Sequence, residues 1–235
     1  MRPTRTAVLL TAGLVTLLGV PAQAAAGTPA TLYVNNVDAN CSDAGAGAQT
    51  VPFCTVSAAA RVVQPGQTVR IKAGRTYDEA VTVDRSGEPG RPITFVADPS
   101  PLVHQAEVSK GLAISGAGHV VVRELSTHGG VRVGRSADVE LDRLTSARYG
   151  LDSVVVGEGS TDVRVTRSRL SGVRIEGGAR GTVLSRNLIG GTTQAAVTVV
   201  DAPGTAVTNN TAGGYCAATV SVGGGSGGSA VFNVI

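Results

Sequence analysis

The sequence VVVREL at residues 120–125 returns in altered form along the second half of the chain. The later copies are VELDRL (139–144), VRVTRS (163–168), TVLSRN (182–187), TAVTNN (205–210) and SAVFNV (229–234). Their third residues lie 19, 24, 19, 23 and 24 positions apart, so the repeat is about 22 residues long. A repeat of this length predicts one structural unit stacked many times along an axis.

A second set of strand-like segments lies between these copies. It comprises residues 112–114, 131–133, 154–156, 173–175 and 197–199. Both sets alternate β-branched and polar residues, which is the period-2 pattern of a strand with one buried face. We therefore expect coils of at least two short strands, stacked about 4.8 Å apart around a narrow apolar core. A β-sandwich or barrel is the alternative, which the lack of Asn-Gly and Asp-Gly hairpin signals disfavours.

One column of the aligned repeat carries asparagine in consecutive coils. The column reads Leu125, Leu144, Ser168, Asn187 and Asn210. Asparagines stacked in register can hydrogen-bond along the axis, so the column predicts a structural ladder.

The start of the chain has the pattern of a secretory signal peptide over residues 1–24. Arg2 and Arg5 precede an apolar run at 7–20, and Ala22-Gln23-Ala24 supplies a cleavage site. The run is shorter than the roughly 20 residues that span a bilayer, so we expect a secreted protein without a membrane span. Loss of both arginines lowers the formal net charge from +3 to about +1, and nucleic acid is not expected as a partner. The rest divides into a cap with the first coils (25–110) and the repeated coils (111–235).

Three cysteines follow the signal peptide, namely Cys41, Cys54 and Cys216. Cys41 and Cys54 flank a glycine-rich loop, and in an oxidising compartment they predict a disulfide worth about 3 kcal/mol. Metal binding is the weaker alternative, because the spacing lacks the CxxC pairs of zinc sites and no histidine is nearby.

The first coils carry a run of short motifs in a fixed order. They read LYVNN (32–36), PFCTVSAAA (52–60), PGQTVRI (65–71), GRTYDEAV (74–81), SGEPG (86–90) and PITF (92–95). This order resembles the opening of secreted bacterial β-helix proteins of the pectin-lyase-like superfamily. The resemblance implies an all-β chain, a single-stranded right-handed parallel β-helix. Residues 55–63, with Thr55 as N-cap, are expected to form a short N-terminal capping helix. Within the motifs, Tyr77 and Glu79 are expected to serve packing and turn formation.

The resemblance also implies extracellular polysaccharide as a partner, although the superfamily includes lyases, hydrolases and coils without activity. A lyase removes a proton beside a uronate carboxylate and needs a base, often with Ca²⁺ to acidify that proton. The outward positions of the repeat offer Glu140 and Asp142 as ligands for Ca²⁺. They also offer Arg143, Arg164 and Arg167 as the base or as a substrate clamp.

Arg123 and Tyr149 complete this candidate site as substrate contacts. No catalytic motif of the superfamily maps onto these positions, and a solvated sheet face with weak ion pairs explains the same charges. A hydrolase is expected less than a lyase, because it needs two or three carboxylates around the bond that it cleaves. The one stacked pair, Asp138 and Asp162, is more typical of calcium binding or of a turn than of an acid/base pair. Three functions stay open: a polysaccharide binder, a lyase acting on an acidic glycan, and a structural cell-surface solenoid.

The repeat alignment places Val231 at the position of Val207, so the chain ends at Ile235 inside a coil. An uncapped coil exposes strand edges, and Cys216 lacks a partner, which predicts a protein truncated at its C-terminus. A solenoid that covers its end by dimerising is the alternative.

Overall fold

The computed structural model describes residues 30–98, 103–146, 152–190, 195–213 and 218–234. Within these ranges the chain winds into a right-handed parallel β-helix whose coils place short strands on three faces. Neighbouring coils pair in parallel. The predicted fold class is confirmed. The signal peptide, Tyr149, Cys216 and Ile235 lie outside the described residues.

Three columns of strands form the three faces. The strands of the first face are β1 (Thr31–Val34), β2 (Thr68–Lys72), β5 (Ile93–Asp98), β8 (Gly118–Arg123), β11 (Ala137–Asp142), β14 (Thr161–Thr166), β17 (Val183–Ser185), β20 (Ala206–Gly213) and β22 (Ala230–Val234). The second face holds β3 (Thr76–Tyr77), β6 (Ala106–Val108), β9 (Leu125–Thr127), β12 (Thr145–Ser146), β15 (Arg169–Leu170) and β18 (Leu188–Gly190). The third face holds β4 (Val81–Val83), β7 (Leu112–Ser115), β10 (Val131–Gly134), β13 (Val154–Gly157), β16 (Val173–Ile175), β19 (Ala195–Val199) and β21 (Ala218–Val222).

The first and second faces belong to one 15-stranded sheet, and the third face is a separate 7-stranded sheet. Strand β20 joins the first two faces, because its start pairs with β17 and its end pairs with β18.

The register of the repeat is the one predicted from the sequence. Leu141 pairs with Val122 and with Val165, and the column continues through Leu184, Val207 and Val231. The third face aligns the second predicted strand set in the same way. The second face was not predicted, because strands of two or three residues are too short to display a period.

A narrow core of aliphatic side chains fills the space between the faces. Val122, Leu141, Val165 and Leu184 are fully buried at one inward position of four successive coils. Such stacking removes apolar surface from water in every coil, which explains how a chain with 3% aromatic residues forms a continuous core.

Left-handed backbone turns the chain at the corner between the first and second faces. The residues at this corner are Glu124, Arg143, Arg167, Arg186 and Asn209, with φ between 50 and 59°. A left-handed conformation costs a non-glycine residue roughly 1 kcal/mol. The hydrogen bonds of the strands on either side must offset this cost in each coil.

The predicted asparagine ladder is present just inside this corner. The Asn187 side chain donates to Asn210 Oδ1 at 2.9 Å and to the Val165 carbonyl at 2.9 Å, and its Oδ1 accepts from the Ser168 backbone at 2.9 Å. Asn187 and Asn210 are 2% and 1% exposed. Because water does not reach these groups, the ladder is the means by which the corner satisfies its buried backbone.

A short helix covers the first coil. Helix α1 (Val56–Val62) begins after Thr55, whose side chain accepts from the Ala58 backbone at 3.1 Å. The Glu79 carboxylate accepts from the backbone of Val56 at 2.7 Å and from Ser57. The predicted capping helix is thereby confirmed, and Glu79 stabilises its first turn.

Tyr77 anchors the same region from inside. Its side chain is buried, and its hydroxyl donates to the Val34 carbonyl at 3.2 Å. Burial raises the pKa of Tyr77 to about 12.

The predicted disulfide joins Cys41 to Cys54, and the Asp43 carboxylate accepts from the Cys54 and Thr55 backbones. Among the described residues, no helix is long and apolar enough to cross a membrane.

The ladder makes a testable prediction about stability. Asn187→Ala removes the side-chain hydrogen bonds to the Val165 carbonyl, the Ser168 amide and Asn210 Oδ1 inside the buried corner, so we expect a loss of about 3 kcal/mol. Asn187→Ser is the matched control, because Ser168 in the preceding coil accepts the Leu144 amide through its hydroxyl; its loss should be smaller. Urea unfolding measures both, and an unchanged midpoint for Asn187→Ala contradicts the structural role of the ladder.

Candidate functional site

A stack of arginines lies at the corner between the first and second faces. Arg143, Arg167 and Arg186 occupy the same corner position in three successive coils. Their neighbours pair in parallel register, which sets the coils about 4.8 Å apart. Positive charges at this spacing repel each other, and neighbouring carboxylates or bound anions reduce this repulsion.

Carboxylates accompany all four arginines that the sequence analysis assigned to the candidate site. The ion pairs are Arg123–Glu140 at 2.9 Å, Arg143–Glu124 at 3.1 Å, Arg164–Asp138 at 3.3 Å and Arg167–Asp142 at 2.6 Å. The guanidinium groups stay about half exposed, so these pairs contribute little to stability by themselves. Each pair leaves donor groups facing solvent.

Asp142, which the sequence predicts as a possible Ca²⁺ ligand, is buried under neighbouring arginines. Its side chain is 1% exposed, although the register places it on the outer side of β11. One oxygen accepts from Thr166 at 2.9 Å and from Arg167 at 2.6 Å. The other lies 3.6 Å from the Arg143 guanidinium. Arginines from two coils therefore cover this carboxylate, and its role as a Ca²⁺ ligand stays a prediction.

This environment controls the charge of Asp142. Burial by itself would raise the pKa, but hydrogen bonds from Arg167 and Thr166 and the charges of Arg167 and Arg143 outweigh it, so the pKa of Asp142 is lowered. The same hydrogen bond raises the pKa of Arg167. Both groups therefore stay ionised at neutral pH.

The arginines open onto a groove of about 330 Å³ on the first face. Its lining consists of Glu140, Arg164, Thr166, Arg167, Ser185, Arg186, Thr208 and Asn209. Three arginines and one carboxylate give it a net positive charge, and the hydroxyl and amide groups add neutral hydrogen-bonding capacity. We call this set the arginine groove.

Only part of the groove is predicted from the sequence. Glu140, Arg164 and Arg167 are among the predicted site residues, but Arg186 is not, although it is exposed and has no ion-pair partner among the described residues. Arg123 and Arg143 lie beside the groove and do not line it. The repeat alignment contained the missing signal, because Arg186 falls in the same column as Arg143 and Arg167.

A histidine that the sequence did not assign also lies next to the groove. His119 Nδ1 is 2.7 Å from Asp138 Oδ2, and Asp138 also pairs with Arg164. Asp138 is therefore held by two side chains from neighbouring coils. The predicted Ca²⁺ ligands are likewise engaged, since Glu140 pairs with Arg123. In the described part of the chain, no group of three or more His, Cys, Asp or Glu residues is arranged to hold a metal ion.

Two larger recesses lie elsewhere on the molecule. One of about 530 Å³ lies beside helix α1 and is lined by Leu32, Phe53 and Val62 together with the Glu88–Arg91 ion pair. The other, of about 390 Å³, lies on the third face, where three carboxylates and Arg132 line it. The arginine groove is smaller, but it is the one of the three whose lining has an excess of positive charge.

Comparison of folds places the chain among the right-handed parallel β-helix proteins. The GH136 lacto-N-biosidase from Eubacterium ramulus superposes with a TM-score of 0.59 at 12% identity, over 77% of this chain and 45% of the enzyme. A rhamnogalacturonan lyase superposes with a TM-score of 0.50 at 13% identity, over 87% of this chain and 62% of the lyase.

The fold therefore agrees with the one implied by the resemblance to the pectin-lyase-like superfamily. At these identities the likeness concerns the fold alone. The chain spans less than half the length of the lacto-N-biosidase and less than two thirds of the lyase. No protein-family model and no curated protein sequence matches the chain.

The buried ion pair makes a prediction about pH. The pKa of Asp142 is lower in the folded chain than in the unfolded chain, so its contribution to stability is present above the unfolded value near 4 and is lost as the pH falls through the folded value. Asp142→Asn should destabilise the protein by about 2 kcal/mol at pH 7. The loss should diminish on acidification from about pH 5 to pH 2.

Thermal melts of both proteins across this range test the assignment. Glu88→Gln is the control, because it breaks the exposed Glu88–Arg91 pair and should have almost no effect. A difference between wild type and Asp142→Asn that stays constant with pH contradicts the proposed ion pair.

Proposed function

We propose that this protein is an exported β-helix that binds an acidic polysaccharide in the arginine groove. The observation that carries the proposal is the stack of Arg167 and Arg186 from successive coils, with Arg164 beside it, around one groove. Regularly spaced guanidinium groups suit a polymer that carries an anion on successive units, because each can form charge-assisted, bidentate hydrogen bonds to a carboxylate.

Several observations support polysaccharide as the polyanion. The two fold neighbours bear the names of carbohydrate-cleaving enzymes. The signal-peptide pattern of residues 1–24 predicts export, and the Cys41–Cys54 disulfide suits an oxidising compartment. The groove also offers Thr166, Ser185 and Thr208, whose hydroxyls can donate to and accept from sugar hydroxyls.

The ion pairs of the arginines favour binding over lyase activity. A lyase base must release its proton near neutral pH, whereas the bond to Asp142 raises the pKa of Arg167. Arg143 and Arg164 are also held in ion pairs, with Glu124 at 3.1 Å and with Asp138 at 3.3 Å. These side chains are better suited to hold anions than to remove protons.

The proposal predicts which arginines control binding. Arg164→Ala and Arg186→Ala should each weaken binding to polygalacturonate or alginate about fivefold, which corresponds to about 1 kcal/mol per lost contact. Binding should also weaken with added salt, because the contacts are exposed. Fluorescence titration with the full exported chain measures both effects, and neutral dextran should not bind.

Arg132→Ala is the matched control, because Arg132 is an exposed arginine on the third face that has no ion-pair partner within the described ranges. Its affinity should equal that of the wild type. Loss of binding in Arg132→Ala but not in Arg186→Ala would move the site to the third face and overturn the assignment. Release of unsaturated sugar ends during the titration would instead establish a lyase.

A further inference from the structure

A second recess opens on the first face near the start of the solenoid. It has a volume of about 180 Å³ and lies beside β1, β2 and β5. Its lining consists of Tyr33, Val34, Asn35, Gln49, Pro52, Arg70, Lys72 and Asp98. We call it the tyrosine recess.

The tyrosine recess has the side chains of a site for a charged sugar. Tyr33 is half-buried and offers an aromatic ring, a surface on which apolar faces of sugars can pack. Arg70 pairs with Asp98 at 2.9 Å. Lys72 has no ion-pair partner in the described part of the chain, so its ammonium group can take an anion without breaking an existing pair.

The tyrosine recess and the arginine groove are connected by the register of the sheet. Tyr33 pairs with Arg70, and the same column of the first face continues coil by coil to the far end of the groove. The column then runs through Val96, Arg123, Asp142, Thr166, Ser185 and Thr208. Both recesses therefore open on one side of the solenoid, along a line parallel to its axis.

The register also fixes the distance between them. Five coil steps separate Arg70 from Ser185 along this column. At about 4.8 Å per step, the two recesses lie about 24 Å apart. The strip between them carries the half-buried Val96 and Val121 and the neutral Arg123–Glu140 pair, so no excess of negative charge repels an anionic chain along the path.

We infer that the tyrosine recess is a second subsite for the same acidic polysaccharide, which lies along the solenoid axis and contacts both sites at once. The inference rests on the proposed function of the arginine groove. A chain shorter than about 24 Å reaches one site, and a longer chain reaches both. The second contact then becomes intramolecular, which increases the affinity without any new chemistry.

Length-defined oligogalacturonates test the inference, with extended lengths from well below to well above about 24 Å. For the wild type, calorimetry should show a rise in affinity of at least about tenfold as the length passes this value. Lys72→Ala and Tyr33→Ala should remove most of this rise. Tyr33→Phe and Lys72→Arg are the conservative variants, which should restore it because the ring and the charge are retained.

The outcomes separate the second subsite from the proposed function. If the wild type shows no rise with length, or if Lys72→Ala and Tyr33→Ala keep the full rise, the second subsite is wrong while binding at the arginine groove stands. If Arg164→Ala and Arg186→Ala have no effect on any length, the proposed function itself fails. Thermal melts of each variant show whether it is folded. A variant that melts like the wild type but no longer gains affinity with oligosaccharide length supports the second subsite.

Discussion

Each strand in the described part of the chain pairs in parallel with the equivalent strand one coil away, and this pairing constrains the other features of the molecule. It places each side chain over its counterpart in the next coil, so residues at equivalent positions form columns along the axis. Inward columns become the aliphatic core represented by Val122, Leu141 and Val165. At the corner, the same constraint repeats the left-handed backbone through Arg143, Arg167 and Arg186.

Stacking in columns has different consequences for apolar and charged residues. Stacked valines and leucines lose contact with water together, which is favourable in every coil. Stacked arginines repel, and the structure compensates them with carboxylates from adjacent columns, most closely at Asp142. The compensation stops at Arg186, which has no ion-pair partner among the described residues. The arginine groove is thus positively charged because the carboxylates beside this column do not neutralise all of its arginines.

Much of the fold was predictable because a parallel solenoid converts sequence spacing directly into spatial register. The alignment of Leu141 with Val122 and Val165 needed no structure, since a coil-length repeat can stack in only one way that keeps its apolar residues inside. The ladder of Asn187 and Asn210 followed from the same alignment. The second face escaped prediction because strands such as Thr145–Ser146 carry too few residues for an alternating pattern.

The sequence by itself determined the solenoid, its register, the capping helix, the disulfide and the presence of charged columns on the outer side. These features follow from local patterns and from a repeat, which are properties of the chain. Only the tertiary structure decided which charges are exposed. Alternation placed Asp142 on the outer side of its strand, yet its burial depends on how the long side chains of Arg143 and Arg167 lie across it. Arginine conformations are set by contacts between coils, which a pattern of residue types does not encode.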